Sequence, residues 1–237
     1  MKMKFTWVLV LAFLLLGCSE QPIRPTEEVI ELNGNKVTIV KLDQGHFKIG
    51  NILVDTRSRR FEVQGKFLRV GPPIEFLAVA KNGRRGYESL LEFDVNVYEF
   101  NLACILIGLD AHKGAPPRAH FDPSVIEGDA VQITLAWEKN GTHEEHEASE
   151  FFLIGDKSLV KGDWVYTGST FVSSGYLADI DGGTLVGFVH DPASIIEHGH
   201  GFGSSSYGGL KLNQALMPAV DMPVTAIFEY VGNTQNN

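Results

Sequence analysis

The 237-residue chain is 44% hydrophobic, which suits one large folded domain or two small ones and excludes disorder over most of its length. Its formal net charge of −9 disfavours nucleic acid and anionic lipid as partners, because both require a basic protein face. With only two cysteines, Cys18 and Cys104, the chain cannot build a cysteine-based zinc or iron–sulfur site.

The amino terminus resembles a bacterial lipoprotein signal. Two lysines precede an uncharged apolar run over residues 5–16, which is shorter than the roughly 20 residues of a membrane-spanning helix. Small Gly17 then precedes Cys18, as in a lipobox. We expect residues 1–17 to be removed and Cys18 to carry diacylglycerol and an amide-linked acyl chain such as palmitate. An ordinary signal peptide or a buried helix is the alternative.

Loss of this signal would leave 220 residues with 18 basic and 29 acidic side chains, a charge of −11. Ser19 stands where an aspartate commonly retains lipoproteins at the inner membrane, so the resemblance implies the outer membrane and a domain that faces the periplasm. A lipid on Cys18 would leave Cys104 without a disulfide partner. The apolar neighbours of Cys104 predict a buried structural thiol.

Residues 18–35 are predicted to form a flexible tether, because Pro22, Pro25 and two adjacent glutamates interrupt any regular pattern. A single globular domain is expected over residues 36–233, followed by a polar tail at 234–237. In the first half of the domain, β-branched runs and period-two alternation predict strands at residues 37–40, 52–55, 60–65, 74–80 and 87–93.

One helix is predicted over residues 97–109. Asn96 can cap its amino terminus and Glu99 completes a capping box, while two consecutive prolines beyond its end forbid continuation. The helix is apolar on nearly every side after its first turn. We therefore expect it to be a core element packed on a sheet.

The second half of the chain is again rich in predicted strands. Asn140 and Gly141 supply the positive φ angles of a tight hairpin turn between strands at 131–138 and 142–154. Further strands are predicted at residues 164–172, 176–180, 184–190 and 224–231. Since strands outnumber helices and do not alternate with them, the expected fold is α+β. It would have mainly antiparallel sheets and one principal buried helix at about 97–109.

Five segments carry a resemblance to a known family: IEFLAV at 74–79, YESLL at 87–91, LIG at 106–108, WVYTGS at 164–169 and ADIDG at 178–182. Together they are similar to the bacterial YdjY-domain proteins over about residues 50–230. The family pattern has a histidine where this chain has Tyr87, which puts any role of that histidine in doubt here. Some relatives carry ferredoxin-type cysteine clusters, which this chain lacks. The resemblance therefore implies a YdjY-like domain and no particular activity.

Glu88, Ser169 and Asp179 are the candidate ligand-binding residues. Glu88 follows a turn, where a carboxylate can bind a cation or act as a base. Pairing of Glu88 with a neighbouring arginine, Arg84 or Arg85, is the plainer interpretation. Ser169 and Asp179 lie in two of the family segments. A serine-hydrolase function is disfavoured, because Ser169 does not lie in a Gly-x-Ser-x-Gly turn.

His190, Asp191, His198 and His200 form the candidate metal site. Imidazole and carboxylate groups bind zinc and other divalent metals, and two histidines two apart on an extended segment point the same way. A simple turn at Asp191 with solvent-exposed histidines is the alternative. We expect no cofactor, with zinc or another divalent metal as the exception to test.

These observations predict a lipid-anchored, non-catalytic envelope domain that faces the periplasm. Its expected partners are the membrane, reached through the lipid, and an unidentified envelope protein or small ligand, with no nucleic acid. The alternative is a metal-binding or metal-dependent envelope protein that uses residues 190–200, followed by a hydrolase.

Overall fold

A computed structural model describes residues 25–32, 34–68, 74–155, 157–159, 164–200 and 210–233. The predicted signal at 1–17, the predicted lipid attachment at Cys18 and the predicted polar tail at 234–237 lie outside these residues. Among the described residues, no helix is both long and apolar enough to cross a membrane.

Strands dominate the fold. In chain order they are β1 (Thr26–Leu32), β2 (Asn35–Lys41), β3 (His46–Ile49), β4 (Ile52–Asp55), β5 (Arg60–Phe67), β6 (Phe76–Ala80), β7 (Ser89–Phe93), β8 (Asp129–Lys139), β9 (Thr142–Glu147), β10 (Phe152–Ile154), β11 (Lys157–Ser158), β12 (Trp164–Tyr166), β13 (Phe171–Val172), β14 (Gly175–Tyr176), β15 (Thr184–Gly187), β16 (Ile196–His198), β17 (Leu210–Leu212) and β18 (Pro223–Asn233). The α-helices are α1 (Val97–Leu106) and α2 (Leu177–Ile180), and 3₁₀ turns cover Arg84–Glu88, Ala111–Lys113 and Ala148–Phe151.

Eight of these strands close into a barrel. Their order is β5-β18-β8-β12-β16-β15-β6-β7, and β7 pairs with β5 to complete the circle. Of the described residues, 47% lie in strands and 14% in helices. The α+β prediction of sheets with one principal helix is therefore wrong. Local patterns reveal strands, but closure depends on pairings between distant strands such as β5–β7 and β8–β18, which no local pattern contains.

Strand β5 forms the seam of the barrel. One edge of β5 pairs with β18, whereas its other edge pairs first with β4 and then with β7. Gly65 lies where the pairing changes, and a Cβ there would clash with the carbonyl oxygen of Glu92 and lie 2.6 Å from the ring of Phe93. The absence of a side chain at Gly65 therefore lets the two backbones approach closely enough to close the circle.

The core of the barrel is aromatic. The ring of Phe228 stacks on Phe61 at 4.7 Å and meets Phe93 edge-on at 6.0 Å between centroids. Phe100 of α1 joins this cluster at 5.2 Å from Phe228. Strands β6, β12, β15 and β16 are buried on both faces, so connecting segments cover this side of the barrel.

Helix α1 confirms the predicted capping box. Asn96 accepts hydrogen bonds from the backbone of Tyr98 and Glu99, and the Glu99 side chain bonds back to the Asn96 N–H. The helix ends at Leu106, three residues before the predicted end, because the chain turns at Gly108 with a φ of 92°. Cys104 is buried as predicted. Ile105 is half exposed, so the helix is only partly a core element.

Strands β1 to β4 extend the sheet beyond the barrel seam. Strand β1 occupies Thr26–Leu32, inside the range 18–35 that was predicted to be a tether, so the tether prediction now applies only to residues before Thr26. Although β1 contains glutamates, its Ile30 and Leu32 pack against the core. The predicted Asn140-Gly141 turn is confirmed, with φ angles of 54° and 79° between β8 and β9.

Candidate functional site

Glu88 belongs to an ion-pair cluster around Arg85. Its carboxylate lies 2.9 Å from Nη1 of Arg85, while Nε and Nη2 of Arg85 each donate to Asp181 at 3.1 Å. Asp191 lies at the edge of the cluster, 4.0 Å from Nη2. The plainer interpretation of Glu88, pairing with a neighbouring arginine, is therefore what the structure shows. These bonds tie the β6–β7 connection to the start of β15.

A second ion pair borders this cluster. His120 Nε2 donates to Glu75 Oε2 at 3.0 Å, and this hydrogen bond raises the pKa of His120. Burial raises the pKa of the Asp191 carboxyl, whose Oδ1 accepts the N–H of Ala193 at 2.9 Å. Each charged group here has a protein partner, so the cluster fastens strands and loops together.

Asp191 and the neighbouring histidines form a buried turn. His190 Nε2 donates to the carbonyl of His198 at 2.6 Å, and the Asp191 N–H donates to Glu197 Oε1 at 2.9 Å. Burial lowers the pKa of His190, and lowers that of His198 to about 4. His200 is exposed. Within the described ranges, no group of three or more His, Cys, Asp or Glu side chains is placed to hold a metal ion.

Ser169 and Asp179 bond to different partners. Ser169 has a positive φ of 55°, and its hydroxyl donates to the carbonyl of Pro192 at 3.4 Å, next to Asp191. Asp179 accepts a hydrogen bond from the hydroxyl of Tyr98 at 3.4 Å. The structure thus brings Glu88 and Asp191 to one cluster, places Ser169 beside it, and places Asp179 at the edge of a groove on the outer face of α1.

This α1 groove has a volume of about 370 Å³ and is lined by Glu31, Leu32, Tyr98, Asn101, Leu102, Ile105, Phe171 and Tyr176. Ile105 is 50% exposed and Phe171 is 61% exposed. Tyr176 stacks with Phe171 at 4.7 Å and lies 5.5 Å from Tyr98. The sequence predicted α1 but not this groove. The sequence feature that could have indicated the groove is the apolar character of α1 on nearly every side after its first turn.

Polar atoms of Tyr176 and Asn101 in the walls of the α1 groove bond to the protein itself. The Tyr176 hydroxyl donates to the carbonyl of Gly168 at 2.9 Å, and the Tyr166 hydroxyl occupies Oδ1 of Asn101 at 2.7 Å. Burial raises the pKa of Tyr98. The groove therefore offers ring faces and aliphatic side chains, with polar groups at its rim, as small-ligand and peptide sites commonly do.

A larger cavity of about 530 Å³ lies beside β3, β4 and β5. Its charged side chains pair with one another: Arg60 with Glu62, and His46 with Asp43 at 2.7 Å. Leu42 and Leu53 are exposed in this cavity too, but the pairing of its charged groups leaves it a weaker candidate than the α1 groove, which three aromatic rings line.

Comparison with known proteins assigns the family. The model of the YdjY domain matches residues 52–229. The chain belongs to the YdjY domain family. No curated protein and no solved structure matches it. In the YdjY domain, the segment at 74–79 leads into and forms most of β6, and that at 87–91 ends the 3₁₀ turn and enters β7. The match begins at β4, so the strand that contributes Glu31 and Leu32 to the groove precedes the matched residues.

Proposed function

We propose that this protein is a lipid-anchored envelope protein whose YdjY domain is a non-catalytic binding domain facing the periplasm, with the α1 groove as its ligand site. The observation that carries the proposal is the exposed apolar face of α1. A helix that is apolar all round is ordinarily buried on every side. Here one side, around Ile105, is left open beside exposed Phe171.

The free energy of covering this face supports binding. Each square ångström of apolar surface removed from water contributes about 25 cal/mol of favourable free energy. A ligand that covers Ile105, Phe171 and Leu102 would remove their apolar surface from water, and this surface is already formed before the ligand binds. The groove volume of about 370 Å³ falls in the range of known ligand sites. By contrast, the Arg85 cluster has its charged groups paired, which supports a structural role there.

The membrane anchor is supported by the lipobox-like residues before Cys18. Labelled palmitate should enter the wild-type chain and not Cys18→Ala, which should also accumulate as unprocessed precursor. A wild-type chain that takes up no label would contradict the anchor while leaving the groove untouched.

A photo-reactive amino acid at position 105 tests the binding site in native membranes. Val125 is 63% exposed and lies outside the residues that line the groove, so the same substitution there is the matched control. We expect a discrete adduct from position 105 and none from position 125. The proposal fails if both positions, or neither, give adducts.

A further inference from the structure

We infer that the ligand of the α1 groove is an extended segment of a partner protein, apolar with basic residues at alternating positions, which adds as a strand to the free edge of β1. The inference rests on the proposed function of the groove and names the chemistry of its partner. Three observations carry it: an outer edge of β1 on which no second strand lies among the described residues, the contact of the groove with β1, and three β1 glutamates that make no ion pair with a described side chain.

The first observation is the open edge of β1. Thr26–Leu32 pairs with β2 along all seven residues, and β1 is the terminal strand of its sheet. No second strand pairs with β1 among the described residues. Its outer row of backbone N–H and C=O groups can therefore pair with another chain. The strand contains no proline and no lysine, two of the residues that commonly protect an edge.

The second observation is the position of the groove. Its lining includes Glu31 and Leu32 of β1 but no residue of β2. The edge strand β1 therefore forms one wall of the groove, together with α1 and β13. A peptide strand added to β1 would lie beside this wall. Apolar side chains on one of its faces would then enter between Leu102, Ile105 and Phe171, as in other complexes formed by strand addition.

The third observation is charge. Glu27, Glu28 and Glu31 make no ion pair within 4.0 Å among the described side chains, and all three are exposed. Lys36 of β2 lies opposite Glu31. It therefore stands at the inner edge of β1, which faces β2, and not at the outer edge where a further strand would add. Opposite charges on neighbouring strands attract and like charges repel. Basic residues on the added strand would be favoured, whereas the β1 strand of a second copy would place glutamates against glutamates.

Fluorescence anisotropy tests the inference with the full-length protein in lipid nanodiscs, and empty nanodiscs as the blank. The probe is a labelled nine-residue peptide that alternates lysine with valine or phenylalanine. One control peptide has glutamate in place of lysine, and another is methylated on alternate backbone nitrogens so that it cannot pair with a strand. We expect the lysine peptide to bind at least about tenfold more tightly than either control, a difference of roughly 1.4 kcal/mol.

Matched variants locate the site. Glu31→Lys should reduce the preference for the lysine peptide, whereas Glu229→Lys, the same charge change at an exposed position of β18, should not. Equal binding of all three peptides would overturn the inference, as would an equal effect of the two variants. If position 105 still forms its adduct in membranes when the lysine peptide fails to bind, the proposed function survives and the strand-addition inference does not. Loss of that adduct would remove both.

Discussion

Replacing Phe100 by alanine should separate α1 from the barrel. The side chain is fully buried, and its ring lies 5.5 Å from Phe61, 5.2 Å from Phe228 and 6.4 Å from Phe93. Truncation of a buried phenylalanine costs about 3–5 kcal/mol, and each aromatic pair contributes about 0.5–1.5 kcal/mol beyond its buried area. Because all three partners belong to barrel strands, we expect a loss at the upper end of the first range.

Urea unfolding of Phe100→Ala measures this loss, with Ile105→Ala as the control. Ile105 lies on the same helix and is half exposed, so its truncation should cost less than about 1 kcal/mol. The slope of the unfolding free energy against urea should match the parent in both variants, since neither changes the surface exposed on unfolding by much. Similar losses in the two variants would refute the assignment of Phe100 to the barrel core and Ile105 to the open face.

Three further predictions follow from the barrel and its buried polar groups. Burial raises the pKa of Glu197 well above its usual value of 4.5, so its contribution to stability falls as pH rises above about 4.5. Glu197→Gln should therefore be more stable than the parent at pH 8 and lose this advantage toward pH 4 in thermal melts; an advantage that is constant with pH would contradict this. Gly65→Ala should destabilise the fold by clashing with Glu92 at the seam, whereas Gly86→Ala, where an added Cβ meets nothing closer than 3.7 Å and φ is not positive, should cost less in the same urea assay. Zinc should not raise the melting temperature, because no three His, Cys, Asp or Glu side chains among the described residues are grouped to hold an ion; a zinc-induced rise that His198→Ala abolishes would contradict this prediction.

Features set by neighbouring residues could be predicted from the sequence. The capping box of Asn96 and Glu99 depends on residues three apart, and the Asn140-Gly141 turn on two adjacent ones, and both are confirmed. Strand β1 was missed because Pro22, Pro25 and the adjacent Glu27 and Glu28 suggested a tether, although Ile30 and Leu32 alternate as in a half-buried strand.

Features set by distant residues could not be predicted. Closure of the barrel requires β5 to meet both β7 and β18, and the sequence around Gly65 does not reveal these distant pairings. The exposed side of α1 depends on where β13 and β1 lie, so the apolar sequence of the helix predicted a core element packed on a sheet and not its open side. The network of Arg85, Asp181 and Asp191 likewise joins residues up to about a hundred positions apart, and only its Glu88 contact is local.

Native mass spectrometry of the full-length protein, released from its own membranes, tests the central claim that the α1 groove holds a ligand. Ile105→Trp would fill the groove with a bulky side chain, and Val125→Trp makes the same change at an exposed residue outside it. We expect one additional bound mass with the wild-type chain and with Val125→Trp, and its loss with Ile105→Trp. A bound mass that persists in Ile105→Trp, or is absent from all three proteins, would contradict the claim.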